Sequence, residues 1–250
     1  MTTRELVYAP PRLRAPIPAG ALGICPGCGH FLVSSLIAQV VEEMGIGNKT
    51  IHVNGMGCHA IAGSVILADW AGCSHGTAPA VATGIKRVYP ESVVYTIQGD
   101  GDAIAIGAGA LLNAAIRGEK ITVVELNNTN YGTTGGQQAP TTLVGQVTTT
   151  TPSGRDAEVE GYPANVPEML TSLKSVAYSA RGAVNNPKNY QQTKKFLKTA
   201  FQKQMDNEGF TFLEILSTCP TNWHMTPTQA AKWVQDVAIN EYPLGEFKNA

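Results

Sequence analysis

Residues 93–126 constrain the fold of this chain more than any other segment. Residues 93–97 (VVYTI) form a short apolar run that predicts a buried β-strand, and residues 121–126 (ITVVEL) predict a second one. Between them lie a Gly-Asp-Gly-Asp turn at 99–102 and a predicted helix over 103–117, which Gly118 would cap. A strand, a helix and a strand of these lengths make a βαβ unit. The sequence therefore predicts a parallel sheet covered by helices on both faces.

The other segments fit one α/β domain over residues 23–250, preceded by a proline-rich extended arm at 1–22. A long irregular segment over 128–165, rich in Thr, Gly and Gln, is typical of a functional loop. Further strands are predicted at 50–54 and 210–216, and further helices at 30–44, 78–87, 166–181, 187–205 and 226–237.

The charge of the chain is low and balanced. Lys and Arg number 18 and Asp and Glu 19, which gives a formal net charge of -1, and charged residues make up 15% of the chain. No basic field is available to hold nucleic acid. An average domain has roughly 25% charged residues, so this surface suits a chain that partner subunits cover.

Apolar runs are too short and too often interrupted to form a transmembrane helix, and residues 1–20 lack the apolar stretch of a secretory signal. We therefore expect no membrane insertion and a cytoplasmic protein. Because the cytosol is reducing, the five cysteines are expected to serve as metal ligands, redox groups or core residues and not as disulfides.

The Gly-Asp-Gly turn lies where open parallel sheets bind ligands, at the carboxyl end of a strand. Its glycines would let the backbone approach a phosphate, but Asp100 would repel that phosphate unless a cation lay between them. Asn127 and Asn128 end the next predicted strand at the same edge. Carboxylate and amide oxygens are the ligands that magnesium prefers, so a magnesium-bridged diphosphate is one interpretation. An ordinary turn with an Asp cap is the other.

Four cysteines follow predicted strands or form a tight loop. Cys25 and Cys28 form a Cys-x-x-Cys loop, and Cys58 and Cys219 each come just after a predicted strand. Iron–sulfur clusters accept one such loop with two dispersed cysteines, whereas zinc sites usually show two paired loops. On spacing alone, zinc and iron–sulfur remain level, buried core cysteines are a third interpretation, and a thioredoxin-like pair is a poor match to this fold.

The GDG at 99–101 followed by NN at 127–128 resembles the fingerprint of the thiamine diphosphate enzymes. The resemblance implies that Asp100, Asn128 and the backbone carbonyl of Asn130 hold magnesium. It also implies that the cofactor diphosphate lies on Gly101, Asp102, Gly132 and Thr133, and Gly99 is a further predicted cofactor-binding residue.

Several further blocks occur in one order over roughly residues 20–245: CPGCGH, GMGC, SHGTAPAVATGIK, QGDGD, NNTNYG-TTGGQQAPTT and CPTNW. Together they resemble the β subunit of the 2-oxoacid:ferredoxin oxidoreductases, most of all the 2-oxoisovalerate and 2-oxoglutarate types. The resemblance implies one α/β thiamine diphosphate-binding domain in which Cys25, Cys28, Cys58 and Cys219 ligate a [4Fe–4S] cluster. Cys73 has no place in that set and is interpreted as structural.

The same resemblance implies roles for two histidines. His75, in the SHGTAP block, would lie near the cofactor diphosphate, although a helix-capping role fits it equally well. His59 would line the thiamine pocket together with Met56 and Gly57. His30 is expected to cap or pack at a helix start, and His52 and His224 to serve packing or the surface.

The function that the resemblance implies is oxidative decarboxylation of a 2-oxoacid to acyl-CoA and CO2, with electrons passed to ferredoxin. The glutamate that activates thiamine is expected from a partner α subunit, and γ and ferredoxin-like δ subunits are expected as well. Because residues 59–63 carry no Lys or Arg, an apolar substrate such as 2-oxoisovalerate is favoured. The alternatives are a non-redox thiamine-dependent decarboxylase or synthase subunit with a zinc site, and an electron-transfer module without thiamine.

Overall fold

A computed structural model of the chain describes residues 24–61 and 66–250, so the predicted arm at 1–22 lies outside the described residues. A seven-stranded sheet forms the centre, in the order β2-β1-β3-β4-β8-β7-β9. Its strands are parallel except β9, which runs antiparallel to β7. The strands are β1 (Thr50–Asn54), β2 (Asp69–Gly72), β3 (Val93–Gly99), β4 (Thr122–Asn127), β7 (Val176–Ala183), β8 (Phe210–Leu216) and β9 (Gly245–Asn249), and a separate hairpin pairs β5 (Asn130–Tyr131) with β6 (Gln137–Gln138).

Helices lie on both faces of the sheet, and a few short ones follow its strands. The α-helices are α1 (Gly29–Glu43), α2 (Ala78–Val88), α3 (Ala108–Ile116), α4 (Ala157–Glu160), α5 (Val166–Leu170), α6 (Pro187–Met205), α7 (Pro220–Trp223), α8 (Pro227–Trp233) and α9 (Ile239–Glu241). Within the described residues, no helix combines the length and the apolar character needed to cross a membrane.

Each face of the sheet has its own hydrophobic core. On one face, α1 and α6 pack against side chains such as Tyr95 and Ile97 of β3. On the other, α2, α3 and α5 pack against Val94 of β3 and Val123 of β4. Because both faces are covered, β4 and β8 are buried at every position and β3 at every position except Gly99, so these strands lack the alternation of a half-exposed strand. The predicted α/β fold with a mostly parallel sheet is confirmed.

The predicted helix over 166–181 is wrong. Only Val166–Leu170 is helical, and Val176–Ala183 is a strand that is buried at every position between β8 and β9. The strand sequence VAYSARGA is buried throughout and does not alternate between apolar and polar residues, so its pattern does not separate a strand from a helix. The strands β2 and β9 were also not predicted from the sequence.

The predicted helix over 103–117 is divided in two. Residues Gly101–Ile106 form a π-helix, and α3 follows after Gly107, whose amide donates to the carbonyl of Asp102 (2.9 Å). Short π-helical turns are rare and occur often at functional sites. This wider turn comes directly after the carboxyl end of β3.

Candidate functional site

A cavity of about 340 Å³ lies at the carboxyl edge of the sheet, where β1, β3 and β4 end. Every residue that the sequence predicted for thiamine or magnesium lines it, except Gly132, which lines an adjoining cavity. The lining comprises His30, Met56, Gly57, Cys58, His59, His75, Gly99, Asp100, Gly101, Asp102, Ile106, Asn128, Asn130, Tyr131, Thr133 and Thr134. The parallel strands end at one edge, and this brings together residues that are far apart in the chain.

Asp100 is buried between this cavity and the irregular segment. Its carboxylate accepts hydrogen bonds from the Gly101 amide (2.8 Å) and the Thr141 hydroxyl. Burial raises the pKa of Asp100 to about 7, although these donors lower it. A cation at this carboxylate would favour the charged form. The residue therefore fits the role of a metal ligand.

The turn after β4 presents Asn128 and Asn130 to the cavity. Thr129 between them has φ 57°, which is a strained conformation for a β-branched residue. Neighbouring side chains hold it there. Its amide donates to Asn127 Oδ1 (3.0 Å), its carbonyl accepts from the Thr142 hydroxyl (2.6 Å), and its own hydroxyl accepts from Gln146 (2.7 Å). Strain maintained in this way is common at ligand sites.

Asp102 organises the opposite wall of the cavity. Its carboxylate accepts from His75 Nδ1 (2.8 Å), the Gly76 amide (2.8 Å) and Gln98 Nε2 (2.9 Å). His75 therefore contacts the Gly-Asp-Gly-Asp turn, while Thr77 occupies the N-cap position of α2. His59 Nε2 lies 3.8 Å from Asp102 Oδ2, and burial lowers the pKa of His59 to about 4, so this ring is neutral at physiological pH.

Two glycines keep the backbone open next to the predicted metal ligands. A Cβ on Gly101 would lie 2.1 Å from the Tyr131 ring, and a Cβ on Gly132 would lie 3.2 Å from Cys58 Sγ and 3.3 Å from Asn128 Nδ2. Side chains at these positions would fill the space beside Asp100 and Asn128. The donor set and this cradle fit a diphosphate with its magnesium ion.

A second cavity, of about 680 Å³, adjoins the first and contains three of the four predicted cluster cysteines, Cys25, Cys28 and Cys58. The two cavities share His30, Gly57, Cys58 and Thr133 as lining residues. Two of these shared residues are in contact, since Cys58 Sγ lies 3.0 Å from Thr133 Oγ1.

Two hydrogen bonds of Thr218 place the neighbouring Cys219 beside this thiol-lined cavity. The Gly29 amide donates to the Thr218 carbonyl (3.0 Å), and the Thr218 hydroxyl donates to the Gly27 carbonyl (2.7 Å). These bonds fix the Cys-x-x-Cys loop to the end of the segment after β8. Burial, together with the neighbouring thiols of Cys58, Cys219 and Cys25, raises the pKa of the Cys28 thiol to about 12. A group that supplies positive charge in this cavity would favour the Cys28 thiolate.

Within residues 24–61 and 66–250, no three His, Cys, Asp or Glu side chains converge as ligands of a single metal ion. Cys73 stands apart from the other thiols, and its Sγ donates to the Asn54 carbonyl (3.3 Å), as expected of a structural residue. His30 is buried at the start of α1, where Nδ1 contacts the Ser217 hydroxyl (3.0 Å), and it lines both cavities. His52 is buried in β1, and His224 is exposed.

Several residues of the site were missed from the sequence. Tyr131 covers Gly101, Thr141 binds Asp100, and Gln98 binds Asp102. Asn222, in the CPTNW block, donates to the Gly132 carbonyl (2.9 Å) and lines the thiol cavity. All four residues lie inside the motif blocks, so their position was a usable signal. Their partners depend on tertiary structure.

The irregular segment is anchored by Arg155. Its guanidinium is buried and donates to the carbonyls of Pro140, Thr142, Glu160, Gly161 and Tyr162. The Thr run at 148–151 is also ordered, through contacts between Thr148 and Thr151. This framework fixes Thr141 and Thr142, the residues that hold Asp100 and Thr129.

The chain matches a family model over residues 45–215, that of the C-terminal TPP binding domain of thiamine pyrophosphate enzymes. Among solved structures, 2-oxoglutarate:ferredoxin oxidoreductase from Magnetococcus marinus is similar, with a TM-score of 0.79 and 25% identity. The similarity covers 99% of this chain and 87% of that one.

Two relatives agree with this match. Ketoisovalerate oxidoreductase subunit VorA of Methanothermobacter thermautotrophicus is 39% identical over 225 residues, which are 90% of this chain and 47% of that protein. The chain thus spans about half the length of that relative. The 2-oxoglutarate synthase subunit KorB of Archaeoglobus fulgidus is 32% identical over 212 residues, 85% of this chain and 75% of that protein. The chain therefore belongs to the thiamine pyrophosphate enzyme family, in the branch formed by the subunits of 2-oxoacid:ferredoxin oxidoreductases.

Proposed function

We propose that this chain is the β-type, thiamine-binding subunit of a CoA-acylating 2-oxoacid:ferredoxin oxidoreductase, which oxidatively decarboxylates a 2-oxoacid to acyl-CoA and CO2. The observation that carries the proposal is the pair of adjoining cavities. One is lined by Asp100 and Asn128 and the other by thiols, and they meet at Cys58 and Thr133. A cofactor and an electron acceptor placed in these cavities would be direct neighbours.

In the first cavity, Asp100, Asn128 and the Asn130 carbonyl would hold magnesium. Gly101, Asp102, Gly132 and Thr133 would border the diphosphate, and Met56, Gly57, His59, His75 and Gly99 would line the rest. When bound, thiamine diphosphate supplies an electron sink for cleavage of the bond next to the 2-oxo carbon. The protein's part is to orient and to exclude water. The hydrogen bonds of the buried Asp102 fix His75. His59, which is neutral, lines the same cavity without adding a charge.

In the second cavity, Cys25, Cys28, Cys58 and Cys219 would ligate a [4Fe–4S] cluster, which accepts electrons one at a time. Three of these cysteines line one cavity, and Cys219 influences the pKa of Cys28, which supports this assignment. Cluster iron would stabilise the thiolate forms of Cys28 and Cys219, which burial opposes. A reducing compartment is needed for such ligands, so we also propose a cytoplasmic location.

The complete enzyme would contain further chains. We propose that an α subunit contributes the glutamate that activates thiamine, and that γ and ferredoxin-like δ subunits complete a hetero-oligomer that passes electrons to ferredoxin. The relatives' designation as subunits supports this. A 2-oxoisovalerate-like substrate is favoured, because identity is 39% to ketoisovalerate oxidoreductase subunits and 32% to 2-oxoglutarate synthase subunits. A non-redox thiamine-dependent subunit with a zinc site is the alternative.

The deciding experiment is anaerobic purification of the chain with the subunits that accompany it, followed by measurement of iron, sulfide, zinc and thiamine diphosphate. We expect about four irons for each copy of this chain beyond those of any ferredoxin-like subunit, with a brown, reducible chromophore. A colourless protein with about one zinc would support the alternative. Absence of thiamine diphosphate after incubation with the cofactor and magnesium would contradict the proposal.

A further inference from the structure

Asn127 lies between a buried ion pair and the strained turn of the predicted magnesium site. Its Nδ2 donates to Glu214 Oε1 (2.6 Å), and its Oδ1 accepts from the Thr129 amide (3.0 Å). We propose that Asn127 and Glu214 are positioning residues. They would hold the turn at Thr129 so that Asn128 and Asn130 face the magnesium diphosphate. This inference rests on the proposed function.

Glu214 is itself held from β7, the strand that flanks β8 on the side away from β4. Arg181 Nε donates to Glu214 Oε2 (2.6 Å), and Arg181 Nη1 and Nη2 each donate to a Glu168 oxygen (2.7 Å). Arg181 and Glu214 are fully buried on neighbouring strands, β7 and β8, and Glu214 pairs in register with Glu125 of β4. A buried carboxylate with both oxygens engaged has little freedom to move. It is therefore a rigid support for the Asn127 amide.

The Thr129 turn needs such support. A β-branched residue at φ 57° is strained, and it keeps this conformation only where surrounding contacts enforce it. Thr142 and Gln146 hold the carbonyl and hydroxyl of Thr129, and Asn127 holds its amide. Only the amide contact leads back through Glu214 to the centre of the sheet.

Three substitutions separate the two contacts of Asn127. Asn127→Ala removes both. Asn127→Asp keeps an acceptor for the Thr129 amide but places a carboxylate against that of Glu214. Glu214→Gln leaves one oxygen for two donors, Asn127 Nδ2 and Arg181 Nε, so one of these hydrogen bonds is lost.

The test measures the magnesium dissociation constant at saturating thiamine diphosphate, by calorimetry, on the full chain with its accompanying subunits. We expect each variant to bind magnesium roughly 10- to 100-fold more weakly, as is found when residues that orient metal ligands are changed. Gln204→Ala is the matched control. Gln204 is a buried amide that ties β3 to β4 at the opposite end of the strands, through Val94 and Thr122. The Gln204→Ala substitution should lower the melting temperature and leave the magnesium affinity unchanged.

A second variant tests the turn itself. Glycine adopts positive φ without strain, so Asn127→Ala combined with Thr129→Gly should recover part of the lost affinity. If the wild type takes up the cofactor and Asn127→Ala binds magnesium as tightly as the wild type, this inference is overturned and the proposed function stands. Equal loss of affinity in Gln204→Ala would overturn it too, because the effect would then be one of general stability. A wild-type chain that takes up no cofactor would overturn the proposed function and, with it, this role.

Discussion

Cys58 Sγ and Thr133 Oγ1 lie 3.0 Å apart, although 75 positions separate the two residues in the chain. Cys58 follows β1, and Thr133 follows the short strand β5. Both residues line the thiol-lined cavity and also the cavity that contains Asp100, so their contact lies at the boundary between the two cavities. Any groups held in the two cavities would therefore be separated by little more than these side chains.

Asp100→Asn tests the proposed metal ligand. The substitution keeps the shape of the side chain but removes its charge, and we expect magnesium-dependent thiamine diphosphate binding to weaken roughly 100-fold. The metal-free variant should be more stable than the wild type above pH 7. The pKa of Asp100 is raised to about 7 in the fold from 3.8, so the wild type loses stability as the pH rises through that range.

Calorimetry for binding and thermal melts across pH 4–9 would check both expectations. Asp69→Asn is the control, because Asp69 is an exposed residue at the start of β2. Unchanged binding in Asp100→Asn would remove Asp100 from the proposed metal site.

Cys219→Ser and Cys73→Ser form a matched pair for the cluster assignment. Cys219 and the thiols of Cys28 and Cys58 influence one another electrostatically, whereas Cys73 donates to the Asn54 carbonyl. We expect Cys219→Ser to lose most of its iron and visible absorbance, and Cys73→Ser to keep both. Anaerobic iron and sulfide analysis gives the answer. Full iron in Cys219→Ser would exclude that thiol as an essential ligand.

Arg155→Lys should loosen the irregular segment. The guanidinium serves five backbone carbonyls, and an ammonium group has three donors, so buried carbonyls would lose their partners. We expect a loss of ~1–3 kcal/mol in unfolding free energy and weaker cofactor binding through Thr141 and Thr142. Denaturant unfolding measures the first. Arg87→Lys is the control, because Arg87 is a mostly exposed side chain, paired with Glu119. An equal effect of the two substitutions would contradict the special role of Arg155.

His52, which lies outside the candidate site, makes the free energy of unfolding depend on pH. Burial lowers its pKa to about 4 from 6.5, so the unfolded chain binds the proton more readily. Stability is therefore lost as the pH falls from about 6.5 to 4, at up to ~1.4 kcal/mol per pH unit for this group. His52→Gln should flatten that slope, and His224→Gln, at an exposed position, should not. Unfolding free energies measured at several pH values would show the difference.

The comparison of sequence and structure is most instructive at residues 166–183. Where a helix was expected, the structure has a short helix followed by a strand that is buried at every position. The prediction was wrong because a segment without alternation of apolar and polar residues fits either structure. The prediction succeeded at residues 93–126, where turn glycines delimit two strands and a helix. Even there, the π-helical turn at Gly101–Ile106 depends on packing and was not visible in the pattern.

The sequence by itself determined the α/β class, the order of its central strands along the chain and the residue types at each strand end, since turn chemistry and apolar runs are local properties. It also carried the motifs that identify the family. Only the tertiary structure decided which strand ends adjoin. It also decided that Asn127 binds the Thr129 amide at positive φ, that Glu214 binds Asn127, and that Arg181 binds Glu214. These relationships join residues up to 87 positions apart. No local pattern encodes such contacts, because they exist only after the strands have paired.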